Sequence, residues 1–166
     1  MSLVKFQGEP VDVSGLFPQT GSSAPEFCLT GGDLSDLTLS SFAGKNVVLN
    51  IFPSVDTPVC ATSVRQFNQQ ASRLPDMVVV CVSADLPFAV SRFCQIEGIE
   101  GVQHASTFRS PDFAKAYGVD LSSGALRGLT ARAVVCIDKN RNIVHSELVS
   151  EITHEPNYEA AINAFG

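Results

Sequence analysis

Val47-Val48-Leu49-Asn50-Ile51-Phe52 and Met77-Val78-Val79-Val80-Cys81-Val82-Ser83 are two short β-rich apolar runs, and the residues between them decide the fold. Runs of this length and composition suit strands buried on both faces. Between them Cys60, Val64, Phe67, Ala71 and Leu74 recur at spacings of four, three, four and three, which is one face of an α-helix, with Pro75 as its end. Residues 47–83 therefore read as strand, helix, strand, with parallel strands and a right-handed crossover.

Working outward toward the N-terminus, Phe27-Cys28-Leu29 and Leu37-Thr38-Leu39 flank Gly31-Gly32-Asp33 as a second pair of strands. Val4-Lys5-Phe6 and Val11-Asp12-Val13 alternate around Gly8-Glu9-Pro10, which predicts an opening β-hairpin. Toward the C-terminus, Ala89, Phe93 and Ile96 repeat at helical spacing up to a stop at Gly98, with Cys94 beside the stripe. Ser110-Pro111 and Gly118 frame a short helix. Ala133–Ile137 and 143–145 bracket the turn-rich residues 138–142 as an antiparallel hairpin, and Pro156 begins a last helix carrying Tyr158, Ala161, Ile162 and Phe165. This order reads as α/β, a thioredoxin-like arrangement with a mixed central sheet flanked by helices and an N-terminal β-hairpin. At 166 residues, positions 1–166 are expected to form a single domain.

Composition narrows the function. A hydrophobic fraction of 45% and a charged fraction of 17% describe a globular chain. Eleven Lys and Arg against seventeen Asp and Glu give a net charge of −6, which argues against nucleic acid and against anionic membrane as partners. No signal-peptide pattern or membrane-length apolar run stands out, so a cytoplasmic protein is expected. The five cysteines, Cys28, Cys60, Cys81, Cys94 and Cys136, form an odd set without C-x-x-C, which suits thiols in a reducing compartment. Scattered His104, His145 and His154 give no metal-ligand spacing.

Chemistry concentrates at the start of the first helix. Thr57 reads as its N-cap and Pro58 as its first residue, so Cys60 falls third, among unpaired N–H groups at the positive end of the helix dipole. That position favours a thiolate. Cys60 also heads the apolar stripe, so spacing alone reads equally well as a buried core cysteine. Arg132, just before the run from Ala133, is either a solvated strand-end charge or a guanidinium serving a nearby thiol. Spacing does not decide whether Cys94 is a second reactive thiol or a packing residue. Cys28, Cys81 and Cys136 sit in strand-like runs and are expected to be small buried hydrophobes.

Pro53-x-x-x-Thr57-x-x-Cys60 after a buried strand resembles the active-site loop of the peroxiredoxins. Residues 49–54, 60–65, 83–89, 91–94 and 131–134 further resemble the bacterial thiol peroxidase group of atypical two-cysteine peroxiredoxins, over nearly the whole chain. The resemblance implies that Cys60 is the peroxidatic thiolate, that Thr57 and Arg132 orient the peroxide and stabilise the thiolate, and that Pro53 shields it from water. It implies Cys94 as the resolving thiol of an intramolecular disulfide, hydrogen peroxide and alkyl or lipid hydroperoxides as substrates, thioredoxin as reductant, a homodimer, and no metal or organic cofactor. Because a disulfide needs Cα atoms within ~7 Å, local unwinding near both cysteines is expected on oxidation. Two alternatives stand beside this reading. A thioredoxin-fold disulfide reductase should carry C-x-x-C and a proline before the later hairpin, and none lies between Pro111 and Pro156. A non-enzymatic redox-sensing domain would use the same fold.

Overall fold

The computed structural model describes residues 2–166. In chain order the strands are β1 (Ser2–Phe6), β2 (Glu9–Ser14), β3 (Cys28–Gly31), β4 (Asp36–Thr38), β5 (Asn46–Ile51), β6 (Met77–Ser83), β7 (Gln103–Ser106), β8 (Asp120–Leu121), β9 (Ala133–Ile137) and β10 (Ile143–Leu148). The helices are α1 (Pro58–Gln70), α2 (Pro87–Glu97), α3 (Pro111–Ala116) and α4 (Tyr158–Asn163), with a 3-10 turn over Leu39–Phe42. Seven strands form one mixed sheet in the order β10-β9-β5-β6-β7-β3-β4, and β1-β2-β8 form a small second sheet. Among these pairs β5·β6 and β6·β7 are parallel, while β9 lies antiparallel to β5. The parallel pair predicted over residues 47–83, the opening hairpin, the pair β3–β4 and the hairpin β9–β10 are all present.

Alternation along β5 splits its side chains between two apolar layers. Val47, Leu49 and Ile51 face a layer shared with Phe113, Tyr117, Val119 and the hairpin residues Val4, Val11 and Val13. Val48 and Phe52 face the opposite layer, built with Cys60, Val64 and Phe67 of α1, Val90 of α2, and Ala161 and Ile162 of α4. Full burial of Val64 and Phe67 contributes roughly 1.5–3 kcal/mol each. The helices of this second layer carry both Cys60 and Cys94.

Several expectations are corrected. Cys28 is exposed, because in β3 it points away from the layer that buries Leu29. Cys81 and Cys136 are buried as expected. Helix α1 ends at Gln70, so Ala71 and Leu74 pack from the turns that follow it. On α2 the buried face runs through Pro87 and Val90 with Phe93 and Cys94 packed beside it, whereas Ile96 is exposed; Cys94 belongs to the stripe and Ile96 does not. The last helix begins at Tyr158, two residues after Pro156, because the Asn157 side chain caps it by accepting from Ala160 N at 3.0 Å. Strand β7 carries the polar sequence Gln103-His104-Ala105-Ser106, without the branched residues that mark a strand, yet it joins β6 to β3. Gly98 does end α2, with φ of 67° and the Ile99 N–H returned to the Cys94 carbonyl at 2.9 Å.

Candidate active site

Strand β5 ends under the sheet's second layer, and residues 52–57 turn the chain into α1. Thr57 has the extended backbone of an N-cap, but its hydroxyl does not cap the helix; it donates to the Ser54 carbonyl at 2.8 Å, which also accepts the Thr57 N–H at 3.1 Å. Cys60 stands at the third position of α1 with its side chain fully buried. Three residues further along, Ser63 pins the first turn. The Ser63 hydroxyl donates to the Cys60 carbonyl at 2.7 Å, and the Asn50 amide of β5 donates to that hydroxyl at 3.1 Å.

Arg132, at the entry to β9, is 2% exposed. Its Nη2 donates to Cys60 Sγ at 3.2 Å and its Nε to the Ile152 carbonyl at 2.6 Å. Its Nη1 is buried without a hydrogen-bond partner among the described residues. A buried guanidinium stays charged and needs an anion or acceptors. The sulfur faces one arm of the fork, and a donor is left over beside it. Arg132 also lines a largely apolar cavity of about 360 Å³, together with Pro53, Thr57, Leu126, Leu129 and Phe6. A thiol, a guanidinium with a spare donor and an apolar recess thus meet at one helix start.

The family model described as Redoxin matches residues 19–162. The chain belongs to the Redoxin family. A thiol peroxidase of Vibrio cholerae serotype O1 is 52% identical over 156 residues, spanning 94% of this Redoxin chain and 95% of that protein. Among solved structures, a peroxiredoxin-like protein from Aquifex aeolicus superposes with a TM-score of 0.92 at 39% identity, covering 98% of this chain and 95% of the other. A thiol peroxidase from Chromobacterium violaceum reaches a TM-score of 0.91 at 24% identity, covering 98% and 94%, and shares the fold.

Of the residues singled out in the Redoxin sequence, Pro53, Thr57 and Arg132 line the recess, while Cys60 is fully buried and adjoins it through its contact with Arg132. Cys94 does not line it. It lies in the last turn of α2, half-buried against the same apolar layer as Cys60, and burial raises its thiol above the ordinary range. Burial also pushes Cys81 and Cys136 up to about 12, which leaves them as neutral packing groups. Sequence reasoning passed over three residues that hold this region. Asn50 and Ser63 are polar positions on the inward sides of an apolar strand and an apolar stripe, and that mismatch was the available signal. Asp85 carried no such mark, because its partners in the loop before α1 lie about 30 residues away in sequence. Its carboxylate accepts from Ser54 Oγ at 2.7 Å, Val55 N at 2.8 Å and Ser83 Oγ at 2.7 Å.

Proposed function

We propose that this thiol-dependent peroxidase of the Redoxin family works through Cys60 as the attacking thiolate, and the carrying observation is the Arg132 guanidinium 3.2 Å from its sulfur. A charged, dry donor beside the sulfur stabilises the anion that must attack. The spare Nη1 of Arg132 and the Thr57 hydroxyl, on two residues that line the recess, are the groups that hold and orient the peroxide oxygens. Pro53 closes one wall against water. The thiolate attacks one peroxide oxygen, the S–O bond forms as the O–O bond breaks, and the alcohol or water leaves with the proton, so that sulfur is oxidised to a sulfenic acid. The apolar lining suits alkyl and lipid hydroperoxides as well as hydrogen peroxide.

Cys94 completes the cycle as the resolving thiol. Its sulfur displaces the sulfenic oxygen as water and forms an S–S bond to Cys60, which a dithiol such as thioredoxin reduces by exchange. Its place in the last turn of α2, where helices fray, and that of Cys60 in the first turn of α1, where the leading N–H groups have no intrahelical partner, support unwinding at both ends as the route by which the two sulfurs meet. The odd set of five free thiols fits a cytoplasmic, thioredoxin-served enzyme. Leu86, Phe88 and Ile96, on or next to α2, and Phe108, just after β7, are large exposed apolar residues and support a homodimer through the α2 surface.

The test is NADPH consumption in the presence of thioredoxin, its reductase and a hydroperoxide. Cys60→Ser is expected to abolish turnover, and Cys94→Ser to allow one oxidation of Cys60 without thioredoxin-dependent recycling. Turnover surviving in Cys60→Ser rejects the assignment.

A further inference from the structure

We propose that Asp85 is a positioning residue that holds the Cys60 loop and the Cys94 helix together in the arrangement that attacks peroxide, and that releasing it speeds disulfide formation. The proposal rests on Cys60 and Cys94 acting as the attacking and resolving thiols. Asp85 sits immediately before Leu86, the N-cap of α2. One carboxylate oxygen accepts from Ser54 Oγ, and the other from Val55 N and Ser83 Oγ, while the Asp85 carbonyl accepts from Ser106 Oγ at 2.6 Å. Ser83 and Ser106 belong to the rigid strands β6 and β7; Ser54 and Val55 belong to the loop that leads into α1. Ser54 in turn receives both the N–H and the hydroxyl of Thr57 on its carbonyl. A continuous line of hydrogen bonds therefore runs from the sheet, through Asp85, to the cap residue of the helix that carries Cys60.

The other polar ties between the two helices lie at the rim. Arg65 pairs with Glu97 while 48% and 30% exposed, and such pairs contribute little. The Asp85 bonds are charge-assisted and half-buried, so they weigh more. Attack on peroxide needs the loop closed, with Cys60 beside Arg132. Disulfide formation needs Cys60 to leave that seat. Bonds made only in the closed arrangement bias the equilibrium toward it and oppose the second step. Loss of a charge-assisted bond corresponds to roughly a tenfold change in such an equilibrium.

The two steps are to be separated by rapid mixing with hydrogen peroxide, acid quenching and mass measurement, since the chain has no tryptophan to report on them. One oxygen gained by Cys94→Ser protein follows sulfenic acid formation, and two hydrogens lost by protein with both thiols follows the disulfide. Asp85→Ala is expected to slow the first step about tenfold and to accelerate the second about tenfold, with less overoxidation of Cys60 to sulfinic acid by excess peroxide. Asp85→Asn, which keeps an oxygen for Val55 N–H, moves both rates the same way by less. Should Asp85→Ala fail to fold, Ser54→Ala carries the test, because it removes one donor to the same carboxylate and is expected to shift the two rates in opposite directions. Both steps slowed together, or neither changed, in a folded variant overturns the role of Asp85. No oxygen gained at Cys60 in otherwise unaltered protein overturns the thiol assignment beneath it.

Discussion

At the scale of single residues, the question is why Arg132 and no shorter cation stands beside Cys60. Its fork serves two partners in different directions, the sulfur through Nη2 and the Ile152 carbonyl through Nε, and still leaves Nη1 for a third. A lysine ammonium on a flexible stem reaches one of these at a time. Arg132→Lys is therefore expected to lower kcat/KM for hydroperoxide by about 10²-fold, in line with loss of an oriented donor from a dry site. Rates of Cys60 oxidation in the two proteins check this, and parity between them contradicts the role given to the fork. The two readings that spacing allowed for Cys60 are compatible with one another. Cys60 is a core residue by burial and, in the proposed mechanism, a reactive thiol by its neighbour, and the sequence could not separate the two because that neighbour lies 72 residues away.

At the scale of elements, the hairpin β1–β2 supplies Phe6 and Gln7 to the wall of the recess, and one carboxylate anchors its tip. Glu151 accepts from Gly8 N at 2.8 Å, Gln7 N at 3.2 Å, and Thr153 N and Oγ1 at 3.0 Å each. These bonds, led by those from the Thr153 and Gly8 backbone, lower its carboxyl from the ordinary 4.5 to about 2. A carboxyl lowered on folding adds stability that is fully present above the unfolded value and is lost as pH falls through the folded one. Anchoring of the hairpin should thus weaken between about pH 4.5 and pH 2. Glu151→Gln is expected to destabilise the protein at neutral pH and to flatten that part of its acid profile. Thermal melts across this range measure it, and parallel profiles for the two proteins would tell against the anchor. The hairpin was legible from alternation around Gly8, but its anchor was not, since the two ends of the contact are 143 positions apart.

At the scale of the whole molecule, the legible parts were those whose pattern is local. The βαβ unit from Val47 to Ser83 announced itself by two branched runs and a helical stripe, and the sheet grew from it as expected. Strand β7 escaped because its pairing to β6 and β3 decides its conformation, against a polar local sequence. Cys28 was misplaced because a single strand residue can face either way, and only the register of β3 against β4 and β7 turns it outward. For the site, the motif residues on one segment were readable from sequence, whereas the supports from Asn50, Ser63 and Asp85 depend on tertiary contacts. The exposed apolar residues of α2 bear on assembly. Sedimentation is expected to give a dimer, and Phe88→Glu to shift it toward monomer; a monomeric unaltered protein would remove that surface from the account.

The central claim is that peroxide oxidises Cys60 and that Cys94 then closes on it. Fully reduced protein treated with one equivalent of hydroperoxide, blocked and digested without reductant, tests this in one peptide map. A single new disulfide joining the Cys60 and Cys94 peptides is expected, with Cys28, Cys81 and Cys136 blocked as thiols. A disulfide that leaves out Cys60, or oxidation confined to the exposed Cys28, would contradict it.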